Sequence, residues 1–95
     1  MAERAKSEAR RSRKGRDAKL QRYYDGVLSK LIAARLESGL TQREVSMPLG
    51  MAHSFLNKCE SGERAIDIAE VWALSNLYGK PLSHFAPDNY KSKEG

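Results

Sequence analysis

A single cysteine, Cys59, leaves this 95-residue chain without an intramolecular disulfide, so its fold must rest on packing alone. The two histidines, His53 and His84, form no zinc-ligand spacing with it, and neither a metal nor a cofactor is expected. No apolar run approaches the ~18 residues that a membrane-spanning helix requires. The basic N-terminus is followed by no apolar stretch, so it does not read as a secretory signal, and the expected compartment is cytoplasmic. No phosphate loop occurs and no nucleophile has an evident base partner, so an enzyme is not expected. Also missing are an internal repeat, a heptad run of coiled-coil length and the two-residue alternation of a half-buried strand. What these absences leave is one small helical domain, in a chain short enough to bury only ~60–65% of its extended surface.

What is abundant is positive charge, with a formal net charge of +5 that favours polyanionic partners such as nucleic acid. Its distribution is uneven. Up to Tyr24 there are nine basic residues against three acidic ones, whereas the remainder carries eight against nine. From Met1 to Lys19 almost nothing is apolar beyond alanine, so ordering that segment would not be offset by burial. Residues 1–22 therefore read as a basic tail, disordered or loosely helical when free, serving either as an electrostatic arm for phosphates or as a solubilising extension.

The folded domain is expected over residues 23–86. Val27, Leu28, Leu31, Ile32 and Leu36 fall at helical spacings, and Gly39 closes that first helix as a left-handed cap with Leu40 turning back onto the core. Thr41 with Glu44 three residues on is a capping box, opening a second helix with Val45 and Leu49 inward. Pro48 sits late in that helix, where its ring opposes the carbonyl four residues back, so a kink or an early end is expected. Gly50 suits the turn that follows, with Met51 plugging into the core. A third helix is expected from about Ala52 to Cys59, with Phe55, Leu56 and Cys59 inward and His53, Ser54, Asn57 and Lys58 outward. Asp67 with Glu70 is a second capping box for a fourth helix, whose inward face is read as Ile68, Val71, Trp72, Leu74 and Tyr78. Gly79 stops it, and Pro81 opens a short fifth helix through Leu82 and Phe85. Residues 87–95 form a polar tail. The fold class is all-α, about five short helices.

Two short helices joined by a glycine-containing turn can offer the second of them to the major groove of DNA. At this point the residues resemble the helix-turn-helix regulators of the phage-repressor and Cro type, the XRE family, across roughly Leu28 to Phe85. The resemblance rests on Arg35, Gly39, Thr41-Gln42-Arg43-Glu44-Val45, Leu49-Gly50-Met51, Cys59-Glu60-Ser61-Gly62 and Ile66-Asp67-Ile68-Ala69-Glu70, ahead of Leu74 and Gly79. It implies a lambda-repressor-like domain in which Arg35 pairs with Glu60 as a structural ion pair and Gln42 clamps a phosphate at a helix N-terminus. It also implies that His53, Ser54, Asn57 and Lys58 read base edges. Arg43 and Arg64, flanking the recognition helix at about 52–59, are expected phosphate contacts with Gln42 and Ala52. Ala52 departs from the pattern, standing where such proteins usually offer a serine or threonine cap.

The function expected is a sequence-specific, DNA-binding transcriptional regulator acting on double-stranded DNA as a homodimer, with Leu82 and Phe85 serving either as dimer contacts or as core caps. The alternative is an antitoxin or co-regulator whose main partner is another protein, its basic tail supplying non-specific nucleic-acid binding.

Overall fold

The first helix, α1 (Ala18–Ser38), begins five residues before the Tyr23 expected from the apolar pattern. The computed structural model of the protein describes residues 17–88, so most of the basic tail and the polar segment from residue 89 lie outside the described residues. Leu31 and Ala34 are buried at the centre of the core, with Val27 packed against them, whereas Leu36 is exposed. Ala34 takes the inward place that size alone assigns to Leu36. Gly39 ends the helix at φ +74°, and the amides of Gly39 and Leu40 bond back to the carbonyls of Leu36 and Arg35. That left-handed turn sends Leu40 onto the core, as expected.

Helix α2 (Gln42–Ser46) is opened by the predicted capping box. The Thr41 hydroxyl accepts from the Glu44 amide at 3.1 Å, and the Glu44 carboxylate accepts from the Thr41 amide at 2.9 Å. Its five residues bury Val45 and Ser46, then it stops ahead of Pro48. The early end has the anticipated cause, since Pro48 has no amide to donate and its ring would meet the Glu44 carbonyl. Residues 47–50 form a turn instead, with Gly50 at φ +68° and the amides of Leu49 and Met51 both bonding to the Ser46 carbonyl.

Helix α3 (Phe55–Glu60) starts three residues later than expected. Ala52 has no side chain to cap it, and Ser54 at the N-cap makes no side-chain cap bond, so nothing draws the helix back through Ala52 and His53. Eight residues thus separate α2 from α3, in place of a tight corner. Phe55, Leu56 and Cys59 are buried.

Helix α4 (Ile68–Tyr78) has the second predicted capping box, Asp67 with Glu70, and ends at Gly79. Its inward face is Val71, Leu74, Ser75 and Tyr78, which corrects the reading that included Ile68 and Trp72. A helix spreads inward residues over a limited arc, and Ile68 and Trp72, one turn apart, fall to its flank. A 3₁₀ turn (Leu82–Phe85) drives Phe85 into the core between α1 and α4. Phe85 therefore caps the interior, while Leu82 is exposed. Among the described residues the fold is all-helical.

Candidate DNA-binding surface

The surface is organised around the carboxylate of Glu60 at the end of α3. Arg35 on α1 donates Nε to Glu60 Oε2 at 2.7 Å and Nη2 to Oε1 at 3.0 Å, a planar fork meeting a planar acceptor. The third arm of the guanidinium donates Nη1 to the Leu40 carbonyl at 2.8 Å. The side chains of Arg35 and Glu60 are only 12% and 9% exposed, so the pair lies within the fold. Its bonds to Glu60 raise the Arg35 pKa despite the opposing effect of burial, leaving the guanidinium charged throughout the accessible pH range.

Gln42, the first residue of α2, joins the same carboxylate, donating Nε2 to Glu60 Oε1 at 2.8 Å. Its other end, Oε1, accepts from Asn57 Nδ2 at 3.2 Å. One chain of contacts thus runs from α1 through the end of α3 and the start of α2 to the outer face of α3. The resemblance named Arg35 with Glu60 as a pair, and Gln42 and Asn57 apart from it for phosphate and base. Their side chains are joined.

The outward face of this segment is open to solvent. Ala52, His53, Ser54, Asn57 and Lys58 are all exposed, with Arg43 exposed on α2, while the opposite side of α3 is fixed in the core. A segment so divided holds its backbone by burial and leaves its polar side chains facing solvent.

Arg64 is placed differently from the other expected phosphate contacts. It donates Nη1 and Nη2 to the Glu70 carboxylate at 2.9 and 2.8 Å and Nη1 to the Ala65 carbonyl at 3.0 Å and to Cys59 Sγ at 3.5 Å. Its guanidinium also lies over the Phe55 ring, 4.9 Å from the centroid. These bonds raise its own pKa and hold the Glu70 carboxyl below the usual carboxylate range, with Arg64 the largest cause and the Asp67 amide contributing. Arg64 is thus a strut that ties the end of α3 to the start of α4. The sequence did carry a signal for its partner, since Glu70 stands at the third position of a capped helix, where a carboxylate turns back toward the preceding loop.

Two further residues went unread. The Tyr24 hydroxyl on α1 accepts from the Ile66 amide at 3.1 Å, docking the loop before α4. The Ser46 hydroxyl, fully buried, donates to the Gln42 carbonyl at 3.0 Å. Cys59 is buried, and desolvation pushes its thiol pKa up, which keeps it a neutral core side chain.

A capped short helix, a glycine turn and a second helix with a buried inner face and a polar outer one define a helix-turn-helix domain. A family model described as Helix-turn-helix matches residues 31–85, more than half of the chain. The chain belongs to this family, the XRE type of helix-turn-helix represented by Cro and the phage repressors, whose members are DNA-binding regulators. No match is found among curated proteins or among solved structures.

Proposed function

We propose that the protein is a sequence-specific transcriptional regulator that lays the segment 52–59 in the major groove of double-stranded DNA. Lys58 suits guanine O6 and N7, Asn57 suits adenine, and Ser54 and His53 suit either role of donor or acceptor. Arg43, Gln42 and the amide of Ala52 would flank them on phosphates. The observation that carries this reading is the division of α3, with Phe55, Leu56 and Cys59 buried and Asn57 and Lys58 exposed on a helix braced by Glu60. The strut at Arg64 contributes by fixing the end of that helix, its charge being matched by Glu70.

Selection of bound duplexes from a random pool by the full chain tests the reading. A defined motif should emerge, and His53→Ala and Lys58→Ala should each relax preference at particular base positions. Arg43→Ala should weaken all sequences alike and lower the salt slope by about one. Binding without any enriched motif would replace this reading with a protein-directed co-regulator that holds nucleic acid through charge alone.

A further inference from the structure

Two ion pairs mark the course of the chain after α4. Lys80 Nζ lies 3.4 Å from Glu37 Oε1 near the end of α1, and Lys30 Nζ lies 2.8 Å from Asp88 Oδ1, about two turns nearer the start of that helix. Between them Phe85 is set in the core, and Ala86 follows with extended backbone. The stretch from 80 to 88 therefore runs along α1 against its direction. Glu37, Lys30 and Tyr23 are spaced seven residues apart, so the three positions fall on one line of the helix surface. A chain that keeps this course past Asp88 next meets Val27 and Tyr23.

At that place α1 and the beginning of α4 border an open groove of about 280 Å³, walled by Tyr23, Val27, Ile66, Ile68 and Val71 with Asp67 at its rim. The wall is apolar, and Ile68 is 73% exposed. Residues 89–95, beyond the described ones, read Asn-Tyr-Lys-Ser-Lys-Glu-Gly, so Tyr90 is their one large side chain with an apolar body. Residues 1–16 offer no rival, having no apolar side chain larger than alanine after Met1. The distances also agree. Along the helix axis Val27 is ~4.5 Å and Tyr23 ~10.5 Å from Lys30, and two extended residues carry a backbone ~7 Å past Asp88. Tyr90 thus comes level with the groove.

We propose that the segment 89–95 of this same chain docks along the first half of α1, the Tyr90 ring seating in the groove against Val27, Ile68 and Val71. A tyrosine buries ~150–250 Å² and keeps a polar end for the rim, which suits a small apolar slot open to water. Charge favours the same course. Lys91 follows Tyr90 within reach of the Asp67 carboxylate, and Glu94, six residues past Asp88, comes level with the exposed Lys19, eleven residues before Lys30. The contact is intramolecular, so its occupancy does not depend on protein concentration. No residue of α3 lines the groove, and the outward face of that helix stays open when the segment is docked.

Nuclear Overhauser contacts in the full chain, labelled at its tyrosine rings and its isoleucine, leucine and valine methyls, test the proposal without DNA. The expected result is a set of contacts from the Tyr90 ring to methyls of Val27, Ile68 and Val71 that persists on dilution. Tyr90→Ser should abolish them and shift those methyl resonances while the helices remain. Ile68→Lys, at an exposed position of the wall, should lower the docking constant about tenfold. Asp88→Ala should lower it about two- to fivefold, the worth of an exposed ion pair, and in a salt-dependent manner. A Tyr90 ring with the shifts of an unstructured peptide and no contact to the groove methyls overturns the proposal. Contacts seen only between differently labelled copies give the groove to a second molecule and overturn it equally, as do contacts left at full strength by Ile68→Lys.

Discussion

Gln42 and Asn57 are joined by one hydrogen bond, and its direction is dictated by a third residue that neither would be expected to involve. The Glu60 carboxylate can only accept, so Gln42 must turn its Nε2 toward it, and the Oε1 left over receives Nδ2 of Asn57. The amide of a base-reading candidate is thereby oriented from inside the protein.

Gln42→Ala should therefore do two things to DNA binding that a plain phosphate contact would not do together. Affinity should fall for every duplex, and preference should also loosen at the base position read by Asn57. Gln42→Glu would set a second carboxylate against Glu60 and should cost about 1–3 kcal/mol of stability. Duplex selection and denaturant unfolding on the same variants separate the two effects.

Glu60→Ala strands Arg35 in a nearly buried place and should cost about 3–5 kcal/mol, read as a lower urea midpoint at unchanged slope. Asp88→Ala, which removes the exposed partner of Lys30, should cost less than about 1 kcal/mol in the same experiment.

How legible this architecture is in the sequence depends on whether a signal is local. Both capping boxes and the Gly39 and Gly79 stops could be read directly, because each is set by residues within one turn of one another. The start of α1 could not, since residues 18–22 are polar apart from Ala18 and Leu20 and their helicity follows from a long helix continuing past its buried part. Ile68 and Trp72 were misplaced because periodicity locates a stripe but not its edges, and size then favoured burying a tryptophan. The links from Glu60 to Gln42 and from Arg64 to Glu70 depend on how helices and loops meet. The capping box aimed Glu70 back toward the loop that holds Arg64, but only the fold determined that Gln42 would reach Glu60.

Acidity should act on the molecule from both sides. Glu70 has a folded pKa below its unfolded value, so its contribution is full above the ordinary carboxylate pKa of about 4.3 and is lost as pH falls through the lowered folded value. Tyr78 is the opposite case. Burial pushes its hydroxyl up to about 12, so the neutral form is favoured by folding, with full effect below the unfolded value of about 10 and loss as pH rises toward 12. Cys59 shifts in the same direction as Tyr78. Tm measured against pH should fall at both ends, and Tyr78→Phe should blunt the alkaline fall while leaving the acid one unchanged.

Gly50 stands at φ +68° in the turn before α3, with nothing within 4 Å of where a Cβ would project. Gly50→Ala should thus cost about 1–2 kcal/mol from backbone conformation alone, and Gly50→Asn less, since asparagine tolerates the left-handed region better. Thermal melts of the two variants check the order, and equal losses would point to a steric cause.

The carboxylate of Glu60 is held by residues 25 and 18 positions earlier in the chain. Each bond waits on the closure of its own loop, and the full grip on Glu60 waits on both, so it should be absent from the folding transition state and made on the native side of the barrier. Glu60→Gln should then leave the refolding limb of a chevron nearly in place and raise the unfolding limb at unchanged slope. The residue that orients the reading face would act, in kinetic terms, as a bolt thrown after the door has shut.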